Sequence, residues 1–392
     1  MDKTADVVVI GGGVNGSSIA YRLARNGVKS IVLVEKSHIA SGPTGRSSGI
    51  VRQHYTLETL AEMARDSLRV FENFAGEIGG DAGFVQSGVV FFCGPTEAGA
   101  LRRTVAMHNR LGIREELLSA GDLCKMEPFL DAEDIALGAY EPDGGYADPA
   151  LAANSFAEAA AQRGVELLRR TRVTGLRVEG GRIAGVITDK GEIATRTVIN
   201  VAGPWGADIA AMAGVQIPLR ATRHPIVLLQ RPPRWRHSTP VWADLINGWY
   251  YKPERNPALM VGSLSEHYQN TAVDIEAYSS VPAYKETEEF SEATLKRFPV
   301  MAEGMAQGGW AGLYDVTPDS QPVIDKIAET DGFYCAFGFS GHGFKLSPAV
   351  GIIMSELVLS GQCTSYDISS FRYSRFREGG LAKGAYGYGV IG

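Results

Sequence analysis

The stretch "DVVVIGGGVNGSSIAYRLARNG", Asp6 to Gly27, passes from an apolar run through a cluster of glycines into residues at helical spacing. Asp6 to Ile10 reads as a strand whose apolar, β-branched run has the composition expected where both faces of a parallel sheet are covered. Gly11, Gly13 and Gly16 fit G-x-G-x-x-G, and Val14 follows the turn. Ile19, Ala20, Leu23 and Ala24 then recur with a helical period, and Gly27 stands where a helix C-terminus is capped. In such a unit the first glycine permits the turn, the second lets backbone approach a pyrophosphate, and the third lets the helix pack closely on the strand. The helix N-terminus faces the phosphates. A second strand, in "SIVLVEK", ends in Glu35, nineteen residues after Gly16, where this fingerprint places the acid that holds a ribose hydroxyl. The spacing predicts a βαβ unit that binds an adenine dinucleotide.

The chain has 392 residues, 45% hydrophobic and 21% charged, enough for a large core and two domains. A net charge of −6 and scattered arginines give no basic face, which argues against nucleic acid as the main partner. Cys93, Cys124, Cys335 and Cys363 form no C-x-x-C pair, so neither a metal site nor a disulfide framework is expected, and a cytoplasmic location fits. The opening "MDKTADVVVIGGG" does not read as a signal peptide, and no later run reaches the roughly twenty apolar residues of a membrane span. The last stretch, "GGLAKGAYGYGVIG", is rich in Gly and Tyr and reads as loosely ordered.

After the second strand comes "SHIASGPTGRSSGIVRQHY", Ser37 to Tyr55, a long polar loop where a nicotinamide enzyme would run into its next strand and helix. Three further segments matter. "RVTGLRVEGGRIAGVITDKGEIATRTVINVAGPWG" (Arg172 to Gly206) reads as strands with a Gly-Gly hairpin and a buried strand. "GLYDVTPDSQPVID" (Gly312 to Asp325) and "GFSGHGFKLSP" (Gly338 to Pro348) complete the set. With these residues the chain resembles the FAD-dependent amino acid oxidases and dehydrogenases that include sarcosine oxidase, glycine oxidase and D-amino acid oxidase, and is closest in flavour to the β subunits of sarcosine oxidase and proline dehydrogenase. The resemblance spans essentially the whole chain. It implies an α/β fold: a Rossmann-like FAD-binding domain of the glutathione-reductase type, with an inserted mixed or antiparallel sheet that forms the substrate domain. Residues 1–80, 145–215 and 310–392 would bind FAD, and 81–144 and 216–309 would bind substrate. Gly83–Cys93, Ile217–Gln230, Val241–Lys252 and Ala258–Leu264 have strand character in those insertions.

The same resemblance assigns residues. Lys36, Arg46, Ser47, Ser48, Val173, Ala202, Gly203, Trp205, Gly341, Gly343 and Phe344 join the fingerprint as FAD contacts. Arg52 falls at the position of a substrate-carboxylate arginine, whose planar fork suits a bidentate bond, and Lys345 at that of a second cation. Tyr314 matches a tyrosine at the flavin face. His342 lies beside the flavin or holds the loop, and His54, Tyr55, Tyr250 and Tyr251 are pocket candidates, with Trp249 on the same strand. Ser347 and Pro348 look like an N-cap and first helical residue for a helix Ala349–Leu359.

Two departures from the family carry information. Gly312 stands where relatives carry a cysteine linked to FAD, so FAD is expected to be noncovalent, and Met260 falls near the place of an oxygen-activating lysine. Asp148 lies near a position where some β subunits carry a histidine bound to FMN, which leaves a second, noncovalent flavin open. The implied activity is oxidation of the C–N bond of a small amino acid, above all a secondary amine such as sarcosine, another N-alkyl amino acid or proline, by hydride transfer to flavin. Oxygen or another acceptor takes the electrons, with partner subunits as an option. The alternatives are a 2-hydroxy-acid dehydrogenase on the same fold, and a flavin subunit of a larger electron-transfer complex.

Overall fold

Val7–Ile10 is buried along its whole length and pairs in parallel with Ile31–Val34 on one side and Val198–Asn200 on the other. A central position with both faces covered is what an unbroken β-branched run requires. In the computed structural model, which describes residues 3–254, 257–382, 384 and 386, this strand lies inside a six-stranded sheet. Its order is Val323–Lys326, Phe333–Phe337, Val198–Asn200, Val7–Ile10, Ile31–Val34 and Glu166–Leu168, all parallel except the first. The predicted helix is Val14–Arg25; Asn26 caps it and Gly27 follows with φ +93°, as the glycine stop implied.

Helix Val14–Arg25 packs between Pro149–Ala161 and Gly343–Ser360. The approach to the latter is close, because a Cβ at Gly351 would meet the Ser18 hydroxyl at 2.5 Å. Ser18 Oγ donates to the Ser347 carbonyl oxygen at 2.7 Å. The C-terminal helix therefore starts at Gly343, not at Ala349, and Pro348 lies inside it. Proline removes one backbone hydrogen bond there, but Phe344, Leu346, Val350 and Ile353 are buried in the core, and that burial outweighs the local stop signal. This helix is long and apolar enough, by length and composition, to cross a membrane, but 67% of it is buried inside the protein.

A second, eight-stranded sheet runs in the order Met305–Val316, Arg220–Gln230, Ala258–Ser263, Trp249–Pro253, Val241–Asp244, Val89–Cys93, Leu137–Glu141 and Glu116–Leu118. It is mixed, since Val241–Asp244 and Val89–Cys93 pair in parallel and the other neighbours antiparallel. The expected single strand Val241–Lys252 is two strands. Asp244 accepts hydrogen bonds from the N–H groups of Ile246 and Asn247, and Gly248 turns the chain at φ +76°. The Gly-Gly hairpin is present: Gly180 and Gly181 take φ +57° and +77° between Glu179 and Arg182. Asp148 is an N-cap, accepting from Ala150 N and Leu151 N, which gives it a full structural role. Of the Gly/Tyr-rich end, residues 383, 385 and 387–392 lie outside those described.

Candidate active site

A cavity of about 490 Å³ opens along the carboxyl ends of the parallel strands and continues against the second sheet. At the first end lie Gly11, Gly13 and Val14, with Glu35 and Lys36 from the next strand and Val173, Ala202, Gly203 and Trp205 opposite. The glycines are required there. Gly11 has φ +117°, and a Cβ on it would meet the Val201 carbonyl oxygen at 2.5 Å. Gly16 does not line the cavity; a Cβ on it would meet the Gly11 carbonyl oxygen at 1.9 Å, so it sets how near the helix comes to the turn. Asn15 Oδ1, buried in the same wall, makes no hydrogen bond among the described residues. A glycine turn, a helix N-terminus and an unpaired polar atom facing one cavity fit the phosphates of a dinucleotide.

Glu35 is 8% exposed and accepts from Gly12 N at 2.8 Å and Ser37 N at 2.7 Å, which braces the turn from the neighbouring strand. Lys36 Nζ lies 3.2 Å from the centre of the Trp205 ring, and Glu276 accepts from Trp205 Nε1 at 2.8 Å. Glu276 also pairs with Lys36 at 3.5 Å, so a loop on the far side closes on this end of the cavity. Arg46, Ser47 and Ser48 line the middle, and Trp310 Nε1 donates to the Arg46 carbonyl oxygen at 2.9 Å.

The far end is walled by Tyr250, Tyr314, His224, Asp315, Gly341, Gly343 and Phe344. Tyr314 stacks on His224 with ring centres 3.6 Å apart, and a Cβ at Gly341 would strike the Tyr314 ring at 2.6 Å. Gly341 also has φ +95°, so this loop glycine serves both backbone shape and close packing of the tyrosine. Asp315 ties the loop down by accepting from Gly338 N at 2.6 Å, and burial pushes its carboxyl up to about 6. Burial, helped by Arg223, pushes His224 down to about 3, which keeps it neutral. Burial raises Tyr314 to about 12 against the opposing charge of Arg52.

Tyr250 and Tyr251 divide by strand alternation. Tyr250 faces the cavity, with room given by Gly262, where a Cβ would meet its ring at 2.1 Å. Tyr251 points the other way: its ring packs edge-on against Phe298, its hydroxyl donates to the Ala293 carbonyl oxygen at 3.3 Å, and it is not a pocket residue. Trp249 packs on Phe290 on that same far face.

Arg52, Lys345 and His342 are buried and do not line the cavity themselves, although the Arg52 charge acts on Tyr314 in its wall. The Arg52 guanidinium lies 4.2 Å from the centre of the Tyr55 ring and donates to the His54 carbonyl oxygen. Lys345 follows Phe344 in the helix; burial first, then Arg52, holds its pKa well below the usual lysine value, with Glu141 opposing. It makes no hydrogen bond or ion pair to other described residues. His342 is fully buried at the helix N-cap with its ring 5.3 Å from that of Tyr55, so it supports the loop and does not line the cavity. Tyr55 lies beneath Arg52, outside the lining.

His54 is not a pocket residue either. Its Nδ1 lies 2.6 Å from Glu115 Oε1, and His108 Nδ1 lies 2.5 Å from Glu115 Oε2. Ligand atoms of these three residues lie within 4.8 Å of one another, yet each is already taken by these hydrogen bonds. Glu115 and His108 are seven residues apart, but the partners that tie them to the site, His54 and Tyr55, are 61 and 53 residues away along the chain, so they had no signal in the sequence. His224 was equally silent, a lone histidine on a strand whose facing strand comes about 90 residues later.

Comparisons with known proteins agree with this geometry. Sarcosine oxidase subunit beta of Rhodobacter capsulatus is 28% identical over 383 residues, covering 96% of this chain and 90% of that protein. Human mitochondrial sarcosine dehydrogenase is 29% identical over 399 residues, covering 95% of this chain but 42% of that longer protein. The crystal structure of L-proline dehydrogenase from P. horikoshii superposes with a TM-score of 0.89 at 31% identity, covering 97% of this chain and 100% of that one. The family described as DAO, FAD dependent oxidoreductase, matches residues 6–357, and with the glycine-cradled cavity this places the chain in that family of FAD-dependent oxidoreductases.

Proposed function

We propose that the protein oxidises the C–N bond of a small amino acid, with a secondary amine such as sarcosine, another N-alkyl amino acid or proline as substrate. The observation that carries this reading is the pair of buried cations, Arg52, whose charge acts on Tyr314, and Lys345, which follows the cavity residue Phe344. A buried ammonium beside a guanidinium, with no ion pair among the described residues, is unfavourable, and a substrate carboxylate supplies the missing charge. Bound FAD supplies the hydride acceptor. The chain's own residues do the rest: Arg52 and Lys345 orient the carboxylate, Tyr314 and the neutral His224 form a wall that adds no charge, and the Asp315-anchored loop brings Gly341 and Gly343 to the cavity. The N-terminus of helix Gly343–Ser360 begins there, the end that suits the negative charge of a reduced flavin.

Relatives named as subunit beta support a second element of the reading, in which partner subunits carry electrons onward. Met260 is buried in its sheet and offers no amine near the cavity, which fits an acceptor other than oxygen. The test is anaerobic: flavin bleaching by sarcosine, proline, glycine, D-alanine and 2-hydroxyglutarate, followed by turnover with oxygen and with an artificial acceptor. Bleaching by 2-hydroxyglutarate alone would sink the proposal. Arg52→Ala is expected to retain FAD and raise KM by the equivalent of roughly 1.5–3 kcal/mol, the worth of one charged hydrogen bond.

A further inference from the structure

Behind Arg52 lies a polar network that the cavity does not use. The segment Gln53–His54 is held by two buried carboxylates from different elements. Glu141, on strand Leu137–Glu141, accepts from Gln53 N at 2.8 Å, from Gln53 Nε2 at 3.0 Å and from His54 N at 3.2 Å. Glu115, 3% exposed in the turn after helix Ala98–Arg110, grips the His54 ring instead. The protonation follows from the partners. His108 Nε2 lies 2.8 Å from the Tyr55 carbonyl oxygen, much nearer than its 3.4 Å to Tyr55 N, and its Nδ1 meets a carboxylate oxygen, so both nitrogens are placed to donate, as in a cationic ring. His54 donates through Nδ1 to Glu115 and accepts at Nε2 from the Tyr386 hydroxyl at 3.0 Å, and is neutral.

This arrangement converges on one atom. The His54 carbonyl oxygen accepts from the Arg52 guanidinium, and the His54 ring is stacked at 4.2 Å on Phe91, the ring that also lies 5.6 Å from Arg52. Fixing the His54 ring and peptide therefore fixes where the guanidinium is directed. Burying two carboxylates is unfavourable unless each is satisfied, and here Glu141 is satisfied by the two residues that follow Arg52 and Glu115 by His54 and His108.

We propose that Glu115, bridging His54 and His108, is a positioning residue for substrate binding: it holds the His54 carbonyl oxygen in place and thereby aims Arg52 at the substrate carboxylate. The inference rests on the reading of Arg52 as the carboxylate partner. A binding group displaced by a fraction of an ångström loses much of its effect, so removal of the bridge acts on carboxylate affinity and not on FAD.

The experiment uses FAD-loaded full-length protein and three variants, Glu115→Gln, Tyr386→Phe and Arg52→Gln. Acetate binding is read from the flavin absorbance, and KM and kcat are measured for the amino acid that bleaches the flavin, with dimethylamine as an amine that lacks the carboxylate. Glu115→Gln is expected to raise the acetate Kd and the amino-acid KM about ten-fold while kcat stays within about two-fold, with dimethylamine turnover and FAD retention unchanged. Tyr386→Phe, which removes one hydroxyl at the outer end, is expected to raise both about two-fold, and it decides the matter where Glu115→Gln fails to fold. Unchanged acetate affinity in Glu115→Gln alongside a large loss in Arg52→Gln would overturn the positioning role and leave the Arg52 reading standing. Unchanged affinity in Arg52→Gln overturns both. Equal losses for acetate and dimethylamine, or lost FAD, would show a merely structural network and also overturn the proposal.

Discussion

Lys345 is the residue most at odds with its surroundings. It is 7% exposed, makes no hydrogen bond or ion pair to other described residues, and burial followed by the Arg52 charge drives its pKa well below 10.5. A cation held this way destabilises the free protein and is useful only when an anion arrives. Lys345→Met keeps the shape and removes the charge, so it is expected to stabilise the fold by about 1–3 kcal/mol while weakening amino-acid binding. The sign with pH is fixed: the folded pKa lies below the unfolded one, so the penalty is full at low pH and fades as pH rises toward 10.5. Melting curves across that range, with KM at one pH, check it; a variant that melts lower than the parent at neutral pH contradicts the uncompensated charge. Arg52, Tyr314 and Lys345 each sit in a short motif whose resemblance carries the role proposed for them. Tyr250 and Tyr251 could not be told apart, since adjacent strand residues face opposite ways and only the partner Gly262 reveals which face has room. Gln53 and Glu141 are 88 residues apart, a pairing that no local pattern records.

At the level of elements, the glycine turn was the clearest signal because its geometry tolerates nothing else. Gly16→Ala places a methyl 1.9 Å from the Gly11 carbonyl oxygen, so the helix must move off the strand. Loss of bound FAD in the purified protein is expected, with a destabilisation of about 1–3 kcal/mol. A yellow, normally melting Gly16→Ala protein would contradict the close helix–strand contact. Elements governed by tertiary packing were read less well. The helix from Gly343 runs through Pro348 because its apolar side chains are enclosed by the helices Val14–Arg25 and Glu58–Glu72. Val241 to Lys252 looked like one strand because the turn between its halves is made by the Asp244 side chain, with only Gly248 as a local cue. The loop carrying Glu276 makes its own forecast. Glu276→Gln weakens a contact that joins Trp205 and Lys36 across the cavity mouth, but Glu276 is well exposed, so the effect is modest. FAD release, followed by recovery of flavin fluorescence, is expected to quicken about two-fold to five-fold, with a smaller difference at high salt.

For the whole molecule, the His54–Glu115–His108 network joins pieces of chain that are far apart: the loop after Ile50–Val51, helix Ala98–Arg110, and Tyr386 near the end. Its contribution to stability has a defined window of pH. Burial would raise the Glu115 carboxyl, but the two histidines, His54 first, hold it down at about 2, so its stabilisation is present above about 4.5 and is lost as pH falls toward 2. Burial would lower His108, but its bonds to Glu115 and to the Tyr55 carbonyl raise it above 6.5. That stabilisation is present below 6.5 and is lost as pH rises through the folded value. Glu141 and Arg52 face the same cluster, and Glu141 is itself raised to about 7, chiefly by burial and then by Glu115. The stabilisation from the pair Glu115⁻ and His108⁺ is therefore full between about pH 4.5 and 6.5. Urea unfolding of FAD-loaded protein and of Glu115→Gln at pH 3, 5, 6, 8 and 9 is expected to show a stability gap on the order of 3 kcal/mol at pH 5–6. The gap should narrow on both sides, toward pH 3 as the carboxyl of the unfolded chain protonates while the folded one stays ionised, and toward pH 9 as the imidazolium loses its proton. A gap that is constant with pH would mean that Glu115 contributes shape and hydrogen bonds alone, and that Glu115 and His108 do not form a charge pair.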